Sequence, residues 1–176
     1  MDRKTPTGFS KPHGSREEQI SALFDSCYPR IARYAYSRTG DRSEAEDIAS
    51  EVFVRALQSI HTYQERGLPM EAWLFRIAHN LVVDRLRRIS RFERADEHEE
   101  FLHDANDTAH IAEDRILLSS VKDAMSLLTQ EQREVLSLRF FAGLSSKETS
   151  VVLNKSDGAV REMQRAALQK LRSLLK

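Results

Sequence analysis

The sequence predicts an all-α fold built as two small helical modules joined by an acidic linker. Three observations carry that prediction. Apolar residues recur at three- and four-residue spacing in one segment after another. Val, Ile and Thr do not gather in alternating runs, which argues against strands. The run at 95–114, ADEHEEFLHDANDTAHIAED, holds eight carboxylates and three histidines and no Lys or Arg, in a chain of 176 residues whose formal net charge is zero. Positive charge is therefore displaced onto the two flanking modules, and its placement says more about partners than the sum does.

Residues 1–15 are rich in Pro, Gly, Ser and Lys and predict a flexible tail. The first helix starts near Arg16, with Ile20, Leu23, Phe24, Cys27, Tyr28 and Ile31 as one apolar stripe, and Gly40 as its stop. Asp41 with Glu44 forms an acidic variant of the capping box for the second helix. That helix buries Ala45, Ile48, Ala49, Val52, Phe53, Ala56, Leu57 and Ile60 and opens its other face with acids. Gly67 and Pro69 mark a loop, and Pro69 suits the start of a third helix. There Leu74, Ile77, Ala78 and Leu81 point inward, while Arg76, Asn80, Asp84 and Arg87 share another face. The helix ends in a cluster of Arg85, Arg87, Arg88 and Arg91. These elements make a first module at 16–94 and a linker at 95–110.

The second module, 111–176, resumes periodicity with Ile111, Ile116, Leu117, Val121, Ala124, Met125 and Leu128. Three capped helices follow. Thr129 with Gln132 and Ser145 with Glu148 are capping boxes, Gly143 is a stop, and Ser156 opens the last helix. The stretch GLSSKETSVVLNKSDGAVREMQRAALQKL has the order of a helix-turn-helix: short helix, tight turn, longer helix. Asn154 occupies the turn position that needs left-handed backbone. Ser156, Gly158 and Ala159 are small enough to admit a phosphate backbone, and Lys155 suits a phosphate contact. With Val160, Met163, Ala167 and Leu171 inward, Arg161, Glu162, Gln164 and Arg165 are expected outside, where such side chains read base edges. A charged helical face is more often merely solvated; here the caps, the turn and the small residues agree on DNA.

The segment YPRIARYAYSRTGDRSEAEDIASEVFVRAL, then AWLFRIAHNLVVDRLRR, then the helix-turn-helix, resembles the extracytoplasmic-function sigma factors of bacterial RNA polymerase from about Glu18 to Leu175. The resemblance implies a three-helix sigma region 2 at 16–94 and a sigma region 4 at 111–176. It also implies that Glu44, Asp47, Glu51 and Arg55 dock on core polymerase. Capture of the melted minus-ten strand falls to Tyr63, Arg66, Arg76, Asn80, Asp84, Arg87 and Arg88. The minus-thirty-five element falls to Lys155, Ser156, Gly158, Ala159, Arg161, Glu162, Gln164 and Arg165. Trp73 reads as core rather than as a base-stacking platform. The implied partners are polymerase core, promoter DNA and an anti-sigma factor, in the cytoplasm, with no cofactor and no chemistry of its own. The sequence departs from the family where Thr149-Ser150 replace a usual Ile-Ala, and where Asn154 replaces a common Gly.

Other function classes find less support. A stand-alone helix-turn-helix regulator of the response-regulator type would need a βαβ receiver pattern, and none is visible. His98, His103 and His110 lack the rigid spacing of a metal site. The lone Cys27 excludes an internal disulfide, and no apolar run has the length of a membrane span.

Overall fold

The computed structural model describes residues 15–64, 69–95 and 123–175. The tail, Arg66, the acidic linker with its three histidines, and the start of the second module at Ile111 lie outside these residues. Among the described residues every regular element is helical.

Helix α1 runs Arg16–Thr39. Ser15 caps it by accepting from the Glu18 amide while the Glu18 side chain returns to the Ser15 amide. Gly40 ends it at φ 73°, a conformation open to glycine without steric cost. Pro29 lies inside this helix on its exposed face. Helix α2 runs Arg42–Ser59. Asp41 accepts from the Glu44 amide at 2.8 Å. The reciprocal half of the expected capping box is replaced, because the Glu44 carboxylate pairs with Arg85 across the helix bundle. A 3₁₀ turn, Ile60–Thr62, leads to helix α3, Met70–Ala95, whose first turn is closed by the Trp73 amide bonding to the Pro69 carbonyl at 3.1 Å.

In the second module, residues 123–126 form one helical turn. Helix α4, Gln130–Leu136, starts from the Thr129–Gln132 capping box. It widens into a π-helical stretch, Ser137–Phe141, closed by the Ala142 amide on the Ser137 carbonyl at 3.0 Å. Helix α5, Ser146–Leu153, and helix α6, Asp157–Leu174, form the predicted helix-turn-helix. Asn154 takes φ 53°, as the turn demanded.

The modules are not independent bodies. Residues of α1, α2 and α3 form a core around Cys27, Ile31, Tyr34, Val52, Leu74, Phe75 and Val82, and that same core includes Leu138, Ala142, Leu144 and Val152 of the second module. Helix α1 packs on the π-helical stretch, and α3 packs on α5. Burying a Leu side chain contributes about 1.5–3 kcal/mol, so Leu138 and Leu144, 0% and 1% exposed, hold the modules together substantially. A smaller cluster of Leu128, Leu136 and Ala167 seats α6 on α4. Cys27 is wholly buried, and burial pushes its thiol pKa up, so it acts as a small core residue rather than a nucleophile.

Candidate DNA and polymerase interfaces

The surface expected to read the upstream element is the exposed side of α6. Ser156 caps the helix by accepting from the Ala159 amide at 3.1 Å, while Val160 and Ala167 anchor the opposite side in the interior. That leaves Gly158, Ala159, Arg161, Glu162 and Arg165 exposed. A Cβ added at Gly158 would meet nothing within 4 Å, so the helix start is open to close approach. Arg161 pairs with Asp157, and Arg165 pairs with Glu162 at 2.7 Å. A side-chain hydrogen bond from Ser146 and the Arg161 charge hold the Asp157 carboxyl below its usual range, and Arg165 does the same for Glu162. Exposed pairs of this kind are worth little, so either guanidinium can exchange its carboxylate for a guanine edge at small cost. Lys155 meets Glu131 at 2.8 Å.

Gln164 departs from expectation. It is half-buried, and its Oε1 accepts from Arg139 Nε at 2.8 Å, while Arg139 also donates to the Leu144 carbonyl. Four residues after Val160, it lies along the inner shoulder of the helix rather than its outer face. It braces the helix-turn-helix against the π-helical stretch.

The first module presents a second polar surface along α3. Asn80, Asp84, Arg87 and Arg88 are exposed, with Arg87 3.9 Å from Asp84. Asn80 borders an open groove of 410 Å³ whose other walls are Arg55, Gln58, Ser59 and Ile77. Tyr63, expected in the strand-capturing loop, is buried against Trp73 with ring centroids 5.2 Å apart. Trp73 packs at the margin of the core, as the sequence suggested. Arg76 is turned toward the second module and donates to the Val151 carbonyl at 2.7 Å.

On α2, Asp47, Glu51 and Arg55 are exposed, with Arg55 2.6 Å from Glu51. Val54 and Leu57 lie beside them, 52% and 48% exposed. This apolar pair among charges adds a contact surface that the sequence reading placed partly in the core. Glu44 differs from this set, being occupied by Arg85 within the bundle.

The polar joint between the modules was missed by sequence reasoning. Glu134 on α4 is 5% exposed and enters between α1 and α3. It accepts a hydrogen bond from the Tyr34 hydroxyl and lies 3.0 Å from His79 Nδ1. Arg38 Nε also lies 3.0 Å away, close enough for an ion pair though its N–H is not aimed as a hydrogen bond. Burial alone would push the Glu134 carboxyl up. The His79 contact, the Arg38 charge and the Tyr34 bond outweigh burial and hold it below its usual range. Burial and the Glu134 charge together push Tyr34 well above its usual value. Little in the sequence signals it: Glu134 stands one helical turn before the buried Leu138, but Gln130, Glu131 and Ser137 share its face.

This pairing of a three-helix module with a helix-turn-helix module defines a class. Residues 23–92 match the family profile Sigma-70 region 2, and residues 124–173 match Sigma-70, region 4. The chain is 40% identical over 162 residues to the ECF RNA polymerase sigma factor BldN of Streptomyces coelicolor, covering 90% of this chain and 61% of that protein. It is 31% identical over 160 residues to the ECF RNA polymerase sigma factor SigL of Mycobacterium tuberculosis, covering 89% and 88%. It is 38% identical over 163 residues to the ECF RNA polymerase sigma factor ShbA of Streptomyces griseus, covering 86% and 85%. The chain belongs to the ECF RNA polymerase sigma factors. The fold matches the sigma factor RpoE in complex with the anti-sigma factor NepR from Bartonella quintana, with a TM-score of 0.68 at 20% identity, covering 90% of this chain and 97% of that one. It also matches CnrH in complex with the cytosolic domain of CnrY, with a TM-score of 0.66 at 26% identity, covering 90% and 88%.

Proposed function

We propose that this chain binds core RNA polymerase and directs it to promoters, with α6 reading the upstream element and α3 gripping the melted downstream strand. The observation that carries this reading is the family match in both modules, in order, with Arg161 and Arg165 exposed on the recognition helix. The groove beside Asn80 suits an unstacked base, and Arg87 and Arg88 suit its phosphates. Asp47, Glu51, Val54 and Leu57 offer polymerase a face combining negative charge with apolar contact, which favours steering and then adhesion. Arg55 stands between that face and the groove.

The polypeptide acts by positioning, with no covalent step of its own. Two weak DNA contacts on one tethered chain gain from effective concentration once polymerase fixes their separation. A protein partner that captures this chain fits the reading, since RpoE is seen with the anti-sigma factor NepR. No helix among the described residues is long and apolar enough to cross a membrane. A role on polymerase supports a cytoplasmic location. The test is reconstitution with core polymerase and run-off transcription on genomic DNA. Discrete promoter-specific transcripts dependent on the chain are expected; their absence, with polymerase binding intact, would overturn the reading.

A further inference from the structure

The joint between the modules has a polar centre with an unusual division of labour. The first module supplies donors and the second supplies acceptors. Tyr34, Arg38 and His79 surround the Glu134 carboxylate. Arg30 donates to the Ala142 carbonyl at 2.7 Å, Arg33 to the Phe141 carbonyl at 3.4 Å, and Arg76 to the Val151 carbonyl at 2.7 Å. Those three carbonyls stand at or near the C-terminal ends of the π-helical stretch and of α5, and the Val151 carbonyl also accepts from the Asn154 amide at 3.3 Å.

We infer that Glu134 is the bolt of an intramolecular lock, which holds the second module closed on the first and keeps Arg76 away from DNA until polymerase opens it. The inference rests on the proposed function in one respect, the assignment of α3 and α6 to two separate promoter elements.

Reach supplies the argument. Elements named minus-ten and minus-thirty-five lie about 25 base pairs apart, roughly 85 Å along B-form DNA. In the closed chain α3 packs on α5, and α5 packs on α6. Packed helix axes lie 8–10 Å apart, so two such steps separate the reading helices by roughly 20 Å. Both elements cannot be engaged from this arrangement. The modules must part, and residues 96–122 have a contour length of at most about 100 Å, enough to let them.

The chemistry of the joint says what parting requires. The carbonyls of Ala142, Phe141 and Val151 are neutral acceptors that water can serve once the modules part, so they impose little barrier. Glu134 and Arg38 are different, their side chains being 6% and 4% exposed. Each keeps the other tolerable in the closed state, and removing one leaves an unpaired charge there. Parting also bares Leu138, Ala142, Leu144 and Val152. The free chain is therefore held shut, and its apparent affinity for a partner that needs the open form is reduced by the fraction open. Arg76 is withheld in the same step, since its guanidinium is turned onto the Val151 carbonyl of the second module in the closed chain.

The test uses the full chain. Spin labels at Ser43→Cys and Gln169→Cys, both exposed and on different modules, report their separation by pulsed electron resonance; Cys27 is buried and stays unlabelled. The otherwise native chain is expected to give one narrow, short distribution. Glu134→Gln, which keeps the shape and loses the charge, is expected to add a broad long-distance population while helicity stays unchanged. Tyr34→Phe, which removes one donor and little volume, is expected to do the same to a smaller degree, and serves if the Gln variant folds poorly. A narrow distribution that survives both changes would overturn the lock, as would a native chain already broad. Core polymerase binding is read alongside, with Glu134→Gln expected to bind roughly tenfold more tightly through its larger open fraction. A native chain with no affinity for polymerase would defeat the functional reading, while the distances would still decide the lock.

Discussion

Thr149→Val should make this protein more stable. Thr149 replaces the apolar residue usual in the family, and it sits on α5 with 0% exposure. Its backbone amide is satisfied by the Ser145 carbonyl at 2.9 Å, but among the described residues its hydroxyl finds no partner. An unpaired buried hydroxyl costs about 1–3 kcal/mol, and replacing it by a methyl of the same shape removes that cost. A gain of about 1–2 kcal/mol is expected, read as a higher urea midpoint at unchanged slope by circular dichroism. The thermal midpoint carries further information. A gain of 1 kcal/mol raises it by about 2–4 °C if the unit unfolding cooperatively has 150 residues or more, and by about 4–8 °C if the second module melts alone. The shared core predicts the smaller shift. Ser150→Ala is the internal control, because the Ser150 hydroxyl already donates to the Lys147 carbonyl at 2.7 Å, so its loss should bring no such gain. A Thr149→Val protein no more stable than the parent would refute the reasoning, by showing that the hydroxyl is paired in solution.

Acid should weaken the closed chain through Glu134. Its folded-state pKa is depressed, so its contribution is present above the unfolded value of about 4.3 and is lost as pH falls through the lower folded value. The thermal midpoint of Glu134→Gln should accordingly fall less between pH 5 and pH 3 than that of the parent; parallel profiles would contradict this. Arg161→Ala and Arg165→Ala should each cost about 1–3 kcal/mol at the upstream element, measured as polymerase-dependent promoter binding, and should relax sequence preference there. A loss equal at every sequence would mean phosphate contact instead. Asp47→Arg should reduce co-purification with core polymerase while leaving the melting temperature nearly unchanged, because Asp47 is exposed on α2; retained co-purification would move the docking face elsewhere.

What the sequence disclosed and what it hid divide along a physical line. Thr129, Ser145 and Ser156 were legible as caps because capping is settled within four residues, whereas Ser15 reads as part of the tail although it caps α1. Asn154 was legible because one turn fixes one dihedral. The inward stripes of α3 and, Leu57 apart, of α2 were legible because burial against any neighbour follows the helical period; Leu57 is 48% exposed. The partner of an outward polar residue follows no period at all. Arg76 and Asn80 share a face of α3 by spacing, yet one bonds a carbonyl 75 residues away and the other is exposed at a groove. Glu44 and Asp47 both open the acidic side of α2, yet only Glu44 has Arg85 opposite it. Tyr34 and Glu134 meet across 100 residues, and nothing local to either names the other. A helical wheel sorts residues relative to their own module. It cannot tell a face awaiting DNA from a face awaiting the other half of the same chain. If the halves part on polymerase, as inferred above, one side chain serves both ends in turn: Arg76 belongs to the joint in the closed chain and would face promoter DNA in the open one.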